Sequence, residues 1–339
     1  MAEPDALSVL GRFLDEPIVV LDVGARWGVA PVWRRLGDRC VAIGFEPDTA
    51  ECDRLNARGG GTRFVPVALA AKSGLGTLYL TRDRKGCSLY PPSPALIARH
   101  PGLVDCELES TELIEVSSMD DWRRAEGIGR VDAIKIDAQG GELDVLRGGE
   151  ATLQTVRVLE IEVEFNELYE GVPVFSEVDR FLRRHGFVLW KLRDLAHYAQ
   201  AGADRSVRTA ELCHYDDYST AYAAGAGQLF WANAYYVRRE VAAPDPAAGW
   251  QSLVRDACLT YAYGLLDLSE LAVSCAGQVA PDEVAEQLAI ARSAGRRRCL
   301  EAEELVARSV ELAGSVKIDF AAEGFAGGGW YEPQLLEAG

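Results

Sequence analysis

From residue 18 the chain alternates short apolar runs with stretches in which apolar residues recur every three or four positions. That alternation predicts βαβ units and a mostly parallel sheet. Eight runs are expected strands: IVVLDV (18–23), CVAIGFE (40–46), TRFVPVAL (62–69), GTLYLT (76–81), AIKID (133–137), RVLEIEVE (157–164), FVLWKL (187–192) and AYYVRR (234–239). They suffice for a complete doubly wound sheet. Two stretches break the pattern. Between residues 82 and 119, YPPSPAL and RHPGL interrupt any period, which predicts a long loop with one short helix. Residues 193–230, rich in Ala, Gly, His and Tyr, form a second insertion that is either a pocket wall or a surface loop. Past the linker AAPDPAAG (242–249) the pattern is helical alone, with Val284, Leu288 and Ala291, then Leu305, Val306 and Val310, at amphipathic spacing. The expected organisation is an α/β domain at residues 1–240 and an α-helical extension at 241–339. Such an extension could cap the domain, hold a partner or form a homodimer.

Composition removes several kinds of partner. Fifty-two acids against thirty-five bases give a formal net charge of −17 in 339 residues, which repels a phosphate backbone or an anionic membrane. No nucleic-acid partner is expected. No apolar run reaches the roughly 18 residues of a transmembrane helix, and MAEPDALSVLGRFLDEP carries acids where a signal peptide carries basic residues. The eight cysteines lack the C-x-x-C spacing of a zinc site. A cytoplasmic protein with reduced thiols is the expectation.

Candidate chemistry gathers where predicted strands end. The first closes in LDVGARWG, placing Asp22 just before Gly24 and Gly28. A dinucleotide turn needs G-x-G-x-x-G, whose middle glycine lets backbone approach a pyrophosphate. Here that position is Arg26, so the turn suits a nucleoside ligand without a pyrophosphate. The second strand ends in GFEPD, where Glu46 stands 24 residues after Asp22 and can accept both hydrogen bonds of a ribose diol. Capping of the next helix is the plainer role for Glu46. The third case is AIKIDAQGGELDVLRGGE (133–150), a buried-strand pattern that stops on Asp137 beside two glycines. Strand interiors have no use for a charge, whereas carboxyl ends of strands in open α/β sheets are where ligands sit.

The segments VVLDVGARWG, GFEPDTAECDRL, VPVALAAKSGLGTLYL, IKIDAQGGELDVLRGGE and VLEIEVE, in this order and spacing, resemble the FkbM family of S-adenosylmethionine-dependent O-methyltransferases. The resemblance covers about residues 15–240. It implies a seven-stranded, mostly parallel sheet of the class I methyltransferase type and methyl transfer to a hydroxyl of a sugar or secondary metabolite. It also implies that Asp22, Gly24 and Gly28 line the methionine side of the cofactor, with Arg26 in the same turn and Asp137 beside them as further cofactor-binding candidates. Glu46 would hold the ribose, and the backbone near Val67 and Ala68 would approach the adenine. This chain has Arg26 where members usually have Asn, and Gln139 where they usually have Glu.

Methyl transfer from a sulfonium is an in-line displacement, so alignment is the main requirement, and the alcohol proton must leave to a base or be acidified by a metal. Asp137 ends one central strand. Glu162 and Glu164 share one face of the next by the period of two. Asp137 and Glu162 could bind a hard cation such as Mg²⁺ through oxygen, or one of them could act as base. His100, His197 and His214 fall in the two insertions and are the other candidate bases, with His214 taken as the catalytic choice. SMDDW (118–122) is expected to cap a helix through Asp120 or Asp121. Two rival functions are a nicotinamide-dependent oxidoreductase, against which Arg26 argues, and a silent methyltransferase fold that binds a partner through residues 250–339.

Overall fold

The computed structural model describes residues 5–296 except 204–207, 215–218 and 226; for 208–214 and 219–225 it describes backbone pairing. Strands are β1 (Ile18–Val23), β2 (Cys40–Phe45), β3 (Thr62–Val65), β4 (Ala68–Leu69), β5 (Gly74–Thr81), β6 (Leu108–Ser117), β7 (Ala133–Ile136), β8 (Val158–Glu164), β9 (Phe187–Tyr198), β10 (Arg208–His214), β11 (Ser219–Gly225) and β12 (Gln228–Arg238). Helices are α1 (Ala6–Gly11), α2 (Thr49–Ala57), α3 (Pro94–Arg99), α4 (Met119–Ala125), α5 (Glu142–Arg147), α6 (Phe175–Arg184), α7 (Arg239–Ala242), α8 (Trp250–Ala262) and α9 (Leu266–Val279). Residues 282–296 are helical as well.

The main sheet runs β3-β2-β1-β7-β8-β12-β9. All its pairings are parallel except the two made by β12, which lies antiparallel between β8 and β9. One face packs α1, α8 and α9 against Ile18, Val20, Ala133, Val158 and Val237. The other packs α4, α5 and α6 against Leu21, Val23, Ile134, Ile136 and Ile161. Burial on both faces explains the near-continuous apolar runs of the central strands.

Three expectations about strands are corrected. TRFVPVAL is two strands, because Pro66 has no N–H to give a ladder: Thr62–Val65 joins the main sheet and Ala68–Leu69 a separate one. GTLYLT also leaves the main sheet, and β5 pairs antiparallel with β6 to form a three-stranded sheet, β4-β6-β5. The stretch 82–119 is therefore not a loop with one helix. It holds α3 and the ten-residue strand β6, whose sequence LESTELIEVS hides it because its first six residues are exposed. Within 193–230, β9 runs on to Tyr198, β10 and β11 make an antiparallel ribbon, and β12 already begins at Gln228.

Helix starts follow local chemistry. Asp48 caps α2 by accepting from Glu51 N at 3.2 Å. Ser118, not Asp120 or Asp121, caps α4. Asp120 instead accepts from the backbone of Ala151 and Thr152. Among the described residues no helix is long and apolar enough to cross a membrane. Beyond α7, the sequence pattern of alternating Leu288 and Ala291 meets the core: both are buried. Leu305, Val306 and Val310 lie outside the described residues.

Candidate active site

On the α8 face, each central strand changes from apolar to charged as it nears its carboxyl end. By the period of two, Val20 is followed by Asp22, Ala133 by Lys135 and Asp137, and Val158 by Glu160, Glu162 and Glu164. The register sets Asp22 beside Lys135, and Lys135 beside Glu160. Lys135 Nζ lies 3.6 Å from Asp22 Oδ1 and 3.3 Å from Asp137 Oδ2. Asp137 and Asp22 outweigh desolvation and raise the Lys135 pKa, so it stays an ammonium. Sequence reasoning missed this residue, although a lysine inside the buried run AIKI was a visible signal.

Burial dominates the acids. It raises Asp22 to about 6, Glu142 to about 7 and Glu160 to about 8, and pushes Glu162 and Glu164 well above the usual carboxylate range, the last two with added like charge from Asp137. Oδ1 of Asp22 and Oε2 of Glu164 are buried without a hydrogen-bond partner. Orphaned buried carboxylate oxygens at the carboxyl ends of central strands fit a ligand that brings donors and positive charge.

The turn after β7 is held by its own sequence. Glu142 Oε1 accepts from Ala138 N at 2.8 Å and Gly140 N at 3.1 Å. A Cβ on Gly24 would lie 1.9 Å from the Asp137 carbonyl oxygen, and Gly24 has φ +79°, so the β1 and β7 turns touch only because that residue is glycine. Gln139 holds φ +51°, which costs a non-glycine residue on the order of 1 kcal/mol. Four hydrogen bonds over-determine it. Its Nε2 donates to Asp137 Oδ1 at 2.7 Å and Glu162 Oε1 at 3.0 Å. Its carbonyl oxygen accepts from Ser88 Oγ at 2.7 Å, and the Tyr169 hydroxyl stands 2.9 Å from its Oε1. That hydroxyl is equally close to the Gly86 carbonyl oxygen, so its one proton is shared between two acceptors.

The structure thus brings Asp22, Gly24, Asp137 and Glu162 together. Glu46 ends β2 nearby, where its Oε1 accepts from Asp48 N at 2.9 Å and lies 3.7 Å from Arg26 Nη1. Arg26 also reaches Asp48 at 3.3 Å. Gly28 stands in the same turn at φ +95°, where a Cβ would face Leu55 and Phe64. Ala68 opens β4, beside Val116 in the small sheet. His100 is buried against Phe230, and its Nδ1 sits 3.1 Å from Leu96 O. His214 ends β10; its side chain lies outside the described residues. The expected cation between Asp137 and Glu162 finds no fitting donor set. The Gln139 amide already occupies an oxygen of each, and among the described residues no group of three or more His, Cys, Asp and Glu side chains could hold a metal.

A seven-stranded sheet with one reversed strand next to its edge, and a glycine turn and acids at the carboxyl ends of its central strands, defines a class I S-adenosylmethionine-dependent methyltransferase. Within that class, residues 22–189 match the methyltransferase FkbM domain, and the chain belongs to the FkbM family. A curated relative, the 2-O-methyltransferase NoeI of Sinorhizobium fredii (strain NBRC 101917 / NGR234), is 27% identical over 169 residues, covering 48% of this chain and 70% of that protein. Among solved structures, a TehB-like SAM-dependent methyltransferase from Corynebacterium glutamicum is 10% identical with a TM-score of 0.31, covering 70% of this chain and 89% of that one. M. capricolum TrmK, in complex with S-adenosyl-homocysteine, is 8% identical with a TM-score of 0.30, covering 87% and 99%. Likeness that weak adds nothing to the strand order itself.

Proposed function

We propose that this methyltransferase acts on a hydroxyl of a small-molecule acceptor, a sugar or secondary metabolite, with Glu162 as the general base. The observation that carries the reading is the meeting of Asp137 and Glu162 at the ends of β7 and β8, next to the Gly24 turn. NoeI, as a 2-O-methyltransferase, supports an alcohol oxygen as the acceptor atom.

S-adenosylmethionine, when bound, supplies an electrophilic methyl; the chain's residues do the rest. Glu46 would hold the ribose diol, and the acids at 22 and 137 would face the cationic portion of the donor. An alcohol is a poor nucleophile at neutral pH, and a base works best when its pKa lies near the working pH. Burial and the neighbouring acids raise Glu162 well above the usual carboxylate range, which makes it a stronger base than a free glutamate, and its side chain is partly exposed.

The test is Glu162→Gln, assayed for transfer to a panel of hydroxylated acceptors by mass spectrometry and for S-adenosylmethionine binding by calorimetry. Loss of turnover by about a hundredfold or more with donor affinity unchanged supports the assignment. Full turnover in the variant removes Glu162 as base.

A further inference from the structure

The bridge between Asp137 and Glu162 is an amide, and this has a chemical meaning. Two carboxylates whose oxygens converge on one point repel each other, and proteins hold such pairs with a cation or with hydrogen-bond donors. Gln139 supplies both donors from one nitrogen, at 2.7 and 3.0 Å. Its orientation is set from outside the pair, by the Tyr169 hydroxyl on Oε1 and by Ser88 on its backbone oxygen. The partners come from four segments: the turn after β7, β8, the stretch after β8 and the stretch after β5.

We propose that Gln139 is a positioning residue whose amide stands where a divalent cation would otherwise sit, so that Asp137 and Glu162 are held in place without a metal. This rests on the reading of those two acids as the reacting pair. Replacing the amide nitrogen by oxygen, as in Gln139→Glu, puts a third carboxylate oxygen within hydrogen-bond distance of the other two. That donor set is the oxygen cage a hard cation takes. The left-handed backbone at residue 139 is equally open to Gln and Glu, so the substitution changes charge and leaves shape alone.

Three full-length proteins are compared: the parent, Gln139→Glu and Gln139→Met, each checked for folding by circular dichroism. MgCl₂ and MnCl₂ are titrated calorimetrically, without acceptor. Gln139→Glu is expected to bind Mn²⁺ at least about tenfold more tightly than the parent. Parent turnover is expected to be unchanged by EDTA. Gln139→Met is expected to lose kcat about tenfold or more while KM for S-adenosylmethionine stays within about twofold, with no rescue by Mg²⁺ or Mn²⁺. Gln139→Glu is expected to lose kcat in EDTA and regain it with Mn²⁺. The proposal is overturned if the parent binds the cation as tightly as Gln139→Glu, if EDTA abolishes parent turnover and Mg²⁺ restores it, or if Gln139→Met keeps its kcat. The cation titration needs no substrate, whereas a parent that fails to bind S-adenosylmethionine defeats the functional reading alone, so the two failures are distinguishable.

Discussion

Lys135 Nζ faces Asp22 Oδ1 at 3.6 Å across a register that pairs the two residues side by side on β7 and β1. Asp137 draws on the same ammonium at 3.3 Å, so one buried cation serves two acids that come from different strands. Removing it takes that counter-charge from both acids, and Asp22 is buried. Lys135→Met is expected to lose about 3 kcal/mol in urea unfolding at pH 8. The deficit shrinks at pH 5, because Asp22, whose folded pKa is already about 6, then carries a proton. An equal deficit at both pH values shows that lost packing, and not charge, sets the cost.

Glu160 gives the pH dependence a definite sign. Burial raises its folded pKa to about 8 from the ordinary glutamate range, so the folded state holds a proton that the unfolded chain has released across that window. Its contribution is complete below the unfolded value and is lost as pH climbs through about 8. Glu160→Gln keeps an oxygen to accept from the Tyr235 hydroxyl, which stands at 3.1 Å in the parent. The variant is expected to gain on the order of 1 kcal/mol over the parent at pH 8.5 and little at pH 5, read from urea midpoints.

Arg26 lies over the ribose candidate. Its guanidinium spans Asp48 and Glu46, at 3.3 and 3.7 Å, so a diol meeting Glu46 competes with a charge already there. Arg26→Asn is expected to bind S-adenosylmethionine about threefold more tightly by calorimetry, with parent affinity rising as salt weakens the pair. A parent that binds nothing and a variant that does would identify a methyltransferase fold kept silent by this contact.

The helices after residue 249 share the core. Leu253, Val254, Leu259 and Tyr263 are buried with Val20 and Val158, and the guanidinium of Arg255 reaches Asp132 at 3.3 Å and Asp15 at 2.6 Å. Arg157 of the strand-leading turn pairs with Asp256. A chain stopped after residue 249 is expected to give no cooperative thermal transition. Arg255→Met in the full chain is expected to lose about 3 kcal/mol, since it leaves a fully buried Asp132 with one ion-pair partner, Arg130, and the Val19 N–H in place of two guanidinium groups. A sharp transition in the truncated chain shows that residues 1–249 hold their fold unaided.

What the sequence made legible was whatever has a short-range cause. Strand ends at Asp22, Glu46 and Asp137 could be placed because a charge closing an apolar run is visible in a line of text. The shared face of Glu162 and Glu164 follows from the strand period alone. The second sheet was not legible as a sheet, because β6 is exposed over its first six residues and only its end, from Ile114 to Val116, alternates. In the sequence Gln139 stands out only as a departure from a family pattern. Its partners at 162 and 169, and at 88, are supplied by tertiary approach, which no local pattern encodes.

The place of β12 bears on how the molecule is made. The last strand of the main sheet to leave a ribosome is inserted between two that left earlier, β8 and β9, and β9 has no other neighbour in that sheet. A nascent chain that has reached residue 200 contains β1, β2, β3, β7 and β8, but must carry β9 unpaired until Gln228–Arg238 emerges. During synthesis at roughly 5–20 residues per second, that interval lasts seconds, and a chaperone that shields an open strand edge would act then.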